Sequence, residues 1–126
     1  VLSPAGTLVI QVPFLYPLHD EPYDFQRWTR HGLEKLCRSG GFEVTQIHAR
    51  NTPITTASAL LAIALAKSMV DALARRRPSA LLIPLIAALI GLINSLACLA
   101  EAILPASDMM PSSYLLIARK NDTRQA

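Results

Sequence analysis

Apolar positions change their spacing several times along the chain, and each change marks an element. Thr7-Leu8-Val9-Ile10-Gln11-Val12 is a β-branched run that follows turn chemistry at Ser3-Pro4-Ala5-Gly6 and stops at Pro13, which has no amide hydrogen to give a ladder. It predicts a buried strand. Leu33, Leu36 and Cys37 then recur at helical spacing behind Thr29, a suitable N-cap, and Gly40-Gly41 supplies a left-handed stop. A second strand begins at Phe42. Phe42, Val44 and Ile47 interleave imperfectly with Glu43, Thr45, Gln46 and His48, as in a strand with one less covered face or near an edge, and Arg50-Asn51-Thr52-Pro53 ends it.

From Thr55 or Thr56 to Ala74 the period is helical and amphipathic. Leu60, Leu61, Ala64, Leu65, Met69, Ala72 and Leu73 form a wide apolar face, with Lys67, Asp71 and Arg75 on a polar stripe. Residues 78–100 carry no charge, and as one helix they reach roughly 35 Å, more than the ~30 Å of bilayer hydrocarbon. Pro84 and the polar pair Asn94-Ser95 weaken a span. The alternative is a helical hairpin, Thr56–Ala74 and Ser79–Leu104 about a turn at Arg75–Pro78. It would lie among headgroups with Arg75, Arg76 and Arg77 facing anionic lipid, or cover a hydrophobic cleft. After a loop from Pro105 to Ser112, Tyr114-Leu115-Leu116-Ile117-Ala118 reads as a third strand, closed by Arg119-Lys120-Asn121-Asp122 and followed by a polar, frayed tail.

At 126 residues and 52% hydrophobic composition the chain is neither disordered nor long enough for two independent cores. The net charge of +3 is essentially Arg75, Arg76 and Arg77. Three adjacent arginines with almost no aromatic neighbours form no phosphate-tracking surface, so nucleic acid is not an expected partner. Cys37 and Cys98, each in an apolar helical pattern, read as small hydrophobes. The first ten residues lack the basic start and cleavage site of a signal peptide, and the opening reads as mid-protein sequence.

The stretch from Pro13 to Trp28 is too broken by proline for a regular element and too aromatic for a linker, which makes it an ordered loop at a strand end. In α/β sheets that is where ligands bind. His19 is the candidate catalytic residue, because histidine exchanges protons near neutrality and could take one from a hydroxyl acceptor; the competing role is to fix the loop through backbone hydrogen bonds. Asp24 and Arg27, three apart, are close enough to pair, or Arg27 could clamp an anionic acceptor. Tyr16, Tyr23 and Trp28, with Phe25, either line an acceptor cavity or pack the loop onto the sheet. His31 and His48 are expected at the surface, and no spacing of ligand side chains organises a metal.

Strand, loop, helix, strand, helical insertion and final strand is an α/β order. Val1-Leu2-Ser3-Pro4-Ala5-Gly6-Thr7-Leu8-Val9-Ile10 resembles the turn into the fifth strand of class I S-adenosylmethionine-dependent methyltransferases, with Ala5 in place of a usual glycine. Val12-Pro13-Phe14, Tyr16-Pro17, His19, Pro22, Asp24, Arg27 and Thr29 resemble a loop of a bacterial branch of that superfamily, the methyltransferase type 11-like proteins. Gly41-Phe42-Glu43-Val44 is similar to the start of strand six, and Leu116-Ile117-Ala118-Arg119-Lys120 to strand seven.

The resemblance implies a single incomplete domain: a partial Rossmann-like methyltransferase sheet of three C-terminal strands (residues 1–53 and 113–120) with an inserted hydrophobic helical hairpin (54–104). It implies S-adenosylmethionine as donor for a full-length parent. The family's glycine-rich turn after strand one and acidic end of strand two are not in this sequence, and Gly6, Gly32, Gly40, Gly41 and Gly91 form no such cradle. The expectation is therefore a C-terminal methyltransferase fragment, inactive alone, that contributes Tyr16, His19, Tyr23, Asp24, Arg27 and Trp28 to the acceptor side. The acceptor is a small or lipid-linked molecule, and the location is cytoplasmic, with possible contact at the inner membrane face. The alternative is a non-enzymatic module that binds a membrane or a protein partner.

Overall fold

A computed structural model describes residues 2, 3 and 5–121; the start of the first motif at Val1, Pro4, and the polar tail from Asp122 lie outside the described residues. The elements are β1 (Thr7–Pro13), α1 (Arg30–Ser39), β2 (Phe42–Arg50), α2 (Pro53–Ala74), a 3₁₀ turn (Pro78–Leu82), α3 (Ile83–Ile103) and β3 (Ser113–Lys120). Two compact units result: a sheet unit from the residues before Thr52 and after Met110, and a helical unit between them in sequence.

The sheet unit is mixed α/β. Its strand order is β1-β3-β2, and β3 is antiparallel to both neighbours, so β1 and β2 run parallel with the last strand reversed between them. A doubly wound sheet of parallel strands has no such central reversal, so the order is not Rossmann-like. Register places Leu8, Ile10 and Val12 opposite Ala118, Leu116 and Tyr114, and these opposite Val44, Ile47 and Ala49. This face forms the core, closed by Leu33 and Cys37 of α1 with Phe14 and Trp28 packed beside them.

The imperfect alternation of β2 has a structural cause. A step of three from Val44 to Ile47 keeps both on one face only if a residue is extruded between them, and the ladder has a bulge there. Thr45 Oγ1 donates to the Ile117 carbonyl at 2.9 Å, which ties the extruded residue down.

β1 differs from its expected character. It is an edge strand in the described unit, and its outer face is open: Val9 is 60% exposed. An apolar run reads the same whether one face or both are covered, which is why the pattern predicts a buried strand. Helix α1 starts where Thr29 predicts, with the Thr29 hydroxyl accepting from the Gly32 amide at 3.1 Å. Its stop uses one glycine, since Gly40 has φ −83° and Gly41 alone is left-handed at φ +78°.

In the helical unit, α2 begins at Pro53, two to three residues before the expected start. Thr52 and Thr55 form a reciprocal capping box, and a proline in the first turn loses no helical hydrogen bond. The same rule disposes of Pro84, which sits at the start of α3. The second helix of the hairpin, expected from Ser79, opens with the 3₁₀ turn before α3 proper. On α3 the less exposed positions are Ile83, Ile86, Ile90, Ile93, Ala97 and Ala100; on α2, besides the first turn through Thr56 and the flanking Leu60 and Asp71, they are Ser58, Ala62, Leu65, Met69 and Ala72. These alternating steps of three and four are the spacing of a helix–helix seam.

The expected amphipathicity of α2 is not found. Leu61, Ile63, Val70 and Leu73 are exposed on it, and its charges are confined to Lys67 and Asp71, paired with each other near its C-terminal end.

Candidate functional site

β1 and β2 end at the same rim, because Pro13 and Arg50 both lie opposite Ser113, the first residue of β3. The Phe14 amide donates to the Ser112 carbonyl and the Ser112 amide to the Arg50 carbonyl, each at 2.9 Å, so the rim extends one residue past the ladder. From it the chain runs through the irregular stretch Phe14–Thr29 into α1. Gln11, Pro13, Tyr16, His19, Ser112 and Ser113 line an open cleft of about 500 Å³ there.

Asp24 organises the loop. One of its carboxylate oxygens accepts from the His19 backbone amide at 3.0 Å and lies 3.1 Å from His19 Nδ1. Both oxygens accept from the Arg27 guanidinium in a bidentate pair, and Arg27 Nη2 also donates to the Pro17 carbonyl at 3.1 Å. The Asp24 side chain is 5% exposed, that of Arg27 24% and that of His19 39%. The Arg27 hydrogen bonds hold the Asp24 carboxyl far below the usual carboxylate range against the opposing effect of desolvation, and the His19 bonds lower it further. Asp24 in turn raises the Arg27 guanidinium.

Those facts select the tautomer of a neutral His19 ring. An ionised carboxylate can only accept, so in the neutral ring the proton is assigned to Nδ1, facing Asp24, and Nε2 carries the lone pair. Nε2 has no protein partner among the described residues. The Tyr16 ring meets the imidazole edge-on, with centroids 5.4 Å apart, on the same cleft wall. The arrangement can hold an oriented imidazole base beside an open cleft.

The predicted residues are thus divided. Tyr16, His19, Asp24 and Arg27 come together. Tyr23 is 75% exposed and pairs edge-on with the equally exposed Phe25, and Trp28 packs against the core of the sheet unit. His31 and His48 are at the surface, with His48 Nε2 3.1 Å from Gln46 Oε1. Asp24 and Arg27 pair as their spacing suggested, although no helix carries them. The bond from Asp24 to His19 was not anticipated; an acid five residues beyond a histidine in one proline-rich loop was its only signal. Gln11, the one polar residue within an apolar strand run, was readable as a rim residue, whereas Ser112 and Ser113 reach the cleft only through β3 register.

The glycines do not fit an S-adenosylmethionine cradle. Gly6 closes a tight turn, where a Cβ would meet the Ser3 carbonyl oxygen at 2.8 Å. Gly41 and Gly91 have nothing within 4 Å of a Cβ, so no close approach requires them. Cys37 is buried, and burial pushes its thiol up. Compared with protein-family models, with curated proteins and with solved structures, the chain matches none.

Proposed function

We propose that the chain is the acceptor-side part of an S-adenosylmethionine-dependent methyltransferase, with His19 as the base that takes the acceptor's proton. The observation that carries this reading is the Asp24–His19 pair at the carboxyl end of β1, beside a cleft large enough for a small acceptor. Asp24 and Arg27 are positioning residues: Arg27 keeps Asp24 ionised, and Asp24 keeps the proton on Nδ1, leaving Nε2 as the proton acceptor. Tyr16 holds the ring from one side, and Gln11, Ser112 and Ser113 offer hydrogen bonds to a polar acceptor.

Further support comes from the sheet. The three runs that resemble strands five, six and seven pair in one sheet, with the two parallel strands ending at one rim. On this reading the residues that bind the donor lie in other sequence, since the glycines of this chain form no cradle for it. Calorimetry with S-adenosylmethionine on the 126-residue chain and on a chain extended by the coding sequence upstream of Val1 tests this. Binding by the extended chain alone is the expected result; binding by neither, or no glycine-rich turn after a strand in the upstream sequence, overturns it.

A second reading, a non-enzymatic membrane-associated module, is favoured by the exposed apolar surface of the helical unit. It predicts that a His19→Gln chain behaves as the parent in every assay.

A further inference from the structure

Helix α3 carries two apolar seams. One is the set of isoleucines and alanines turned toward α2. The other is Leu85, Leu89, Leu92, Leu96, Leu99 and Ile103, continued upstream by Leu82 of the 3₁₀ turn, again at alternating steps of three and four, and every one of these is at least 43% exposed. On α2, Leu61, Ile63, Val70 and Leu73 are exposed as well. A helix apolar on one side can lie on a membrane surface; a pair apolar on several sides would still leave leucines in water if it lay flat.

We infer that the α2–α3 hairpin inserts through the hydrocarbon of a lipid bilayer, with Arg75, Arg76 and Arg77 among the headgroup phosphates on one side. Three independent features fit that partner. Length is the first: α2 has 22 residues and α3 has 21, about 33 and 32 Å of helix against ~30 Å of hydrocarbon. Hydrogen bonding is the second. Ser58 Oγ donates to the Thr55 carbonyl at 3.0 Å, Ser68 Oγ to Ala64 and Ser95 Oγ to Gly91, both at 2.8 Å, so each serine of the two helices is satisfied within its own helix. Hydrocarbon, which offers no water, favours that; the Thr56 hydroxyl of α2 and the Asn94 amide of α3 have no such partner among the described residues and count against it.

Charge is the third feature. The arginine triplet caps the hairpin at its turn, where anionic headgroups attract it, and α2 has no charge from Pro53 to Ala66. Lys67 and Asp71 of α2 and Glu101 of α3 are the exceptions: Glu101 lies two residues from the C-terminal end of its helix, and Lys67 and Asp71 are paired with each other in the turns nearest the arginines, where a lysine reaches the headgroup layer along its own stem.

The competing occupant of the leucine seam is the same seam of a second copy in water. Vesicle flotation of the full chain separates the two. The expected result is flotation with phosphatidylcholine vesicles that survives about 1 M sodium chloride, where charge attraction is screened beyond about 3 Å. Adding phosphatidylglycerol should strengthen it, and Arg75→Ala/Arg76→Ala/Arg77→Ala should remove that increment while leaving flotation on phosphatidylcholine. Leu92→Arg, on the exposed seam and so neutral to the hairpin's own packing, should lower partitioning on the order of a hundredfold. Flotation abolished by salt would mean attachment by charge alone. A chain that stays in the soluble fraction as a dimer by light scattering would hand the seam to a second copy. Either result overturns insertion, and neither bears on S-adenosylmethionine binding.

Discussion

Leu116 is the residue whose truncation most directly tests the account of the sheet. It is 0% exposed, lies on the central strand, and sits opposite Ile10 on one side and Ile47 on the other. Leu116→Ala removes three carbons, at about 0.8 kcal/mol each, and leaves a void between two paired strands that cannot collapse without breaking register. Transfer and cavity together give a loss of about 3–4 kcal/mol. A unit this small holds only about 3–10 kcal/mol in total, so much of its stability depends on this side chain. Trp28, the single tryptophan, packs against that core and makes its fluorescence a reporter of the sheet unit alone. In urea, with a slope of about 1 kcal/mol per molar, the midpoint should fall by about 3 M. Leu92→Ala, on an exposed position of α3, should leave the tryptophan transition where it was. A Leu116→Ala midpoint within about 0.5 M of the parent would refute the placement of Leu116 at the centre of the core.

Two further outcomes follow from particular residues. Arg27 depresses Asp24 in the folded chain below its unfolded value of about 3.9. The resulting stability is present above about pH 4 and is lost as pH falls through the folded value. Asp24→Asn should therefore abolish the acid-induced weakening seen by Trp28 fluorescence below about pH 4, and should shift the ¹⁵N resonances of His19 away from the Nδ1–H tautomer; an unchanged acid slope and unchanged imidazole shifts would remove Asp24 from its orienting role. Gly41→Ala meets no atom within 4 Å but holds φ +78°, so its cost should be the backbone term alone, about 1–2 kcal/mol in the same urea titration. A loss near zero would show that the turn after α1 relaxes without it.

What could be read ahead of the structure was local. Thr29, Pro13 and the arginine triplet each carry a signal within a few residues of the boundary they set, and all three boundaries are where they were expected. The bulge in β2 was visible only as a fault in the alternation, because the residue it extrudes is defined by its partner strand. Burial was the least legible quantity. The run in β1 and the wide apolar face of α2 have the composition of covered elements, and what leaves them open is the neighbour each has or lacks. The cleft shows the same limit: one wall belongs to a single loop and could be listened for in its prolines and aromatics, while Ser112 and Ser113 arrive from the far side of the helical unit in sequence.

The position of β3 also sets the order in which the polypeptide can assemble as it leaves the ribosome. β1 and β2 are bonded to β3 and not to each other, so no rung of the ladder can close until the last strand has been synthesised. The sixty or so intervening residues make mostly local contacts and are free to fold beforehand. Synthesis therefore delivers a finished pair of helices to its surroundings while the part of the chain that bears His19 is still waiting for its keystone.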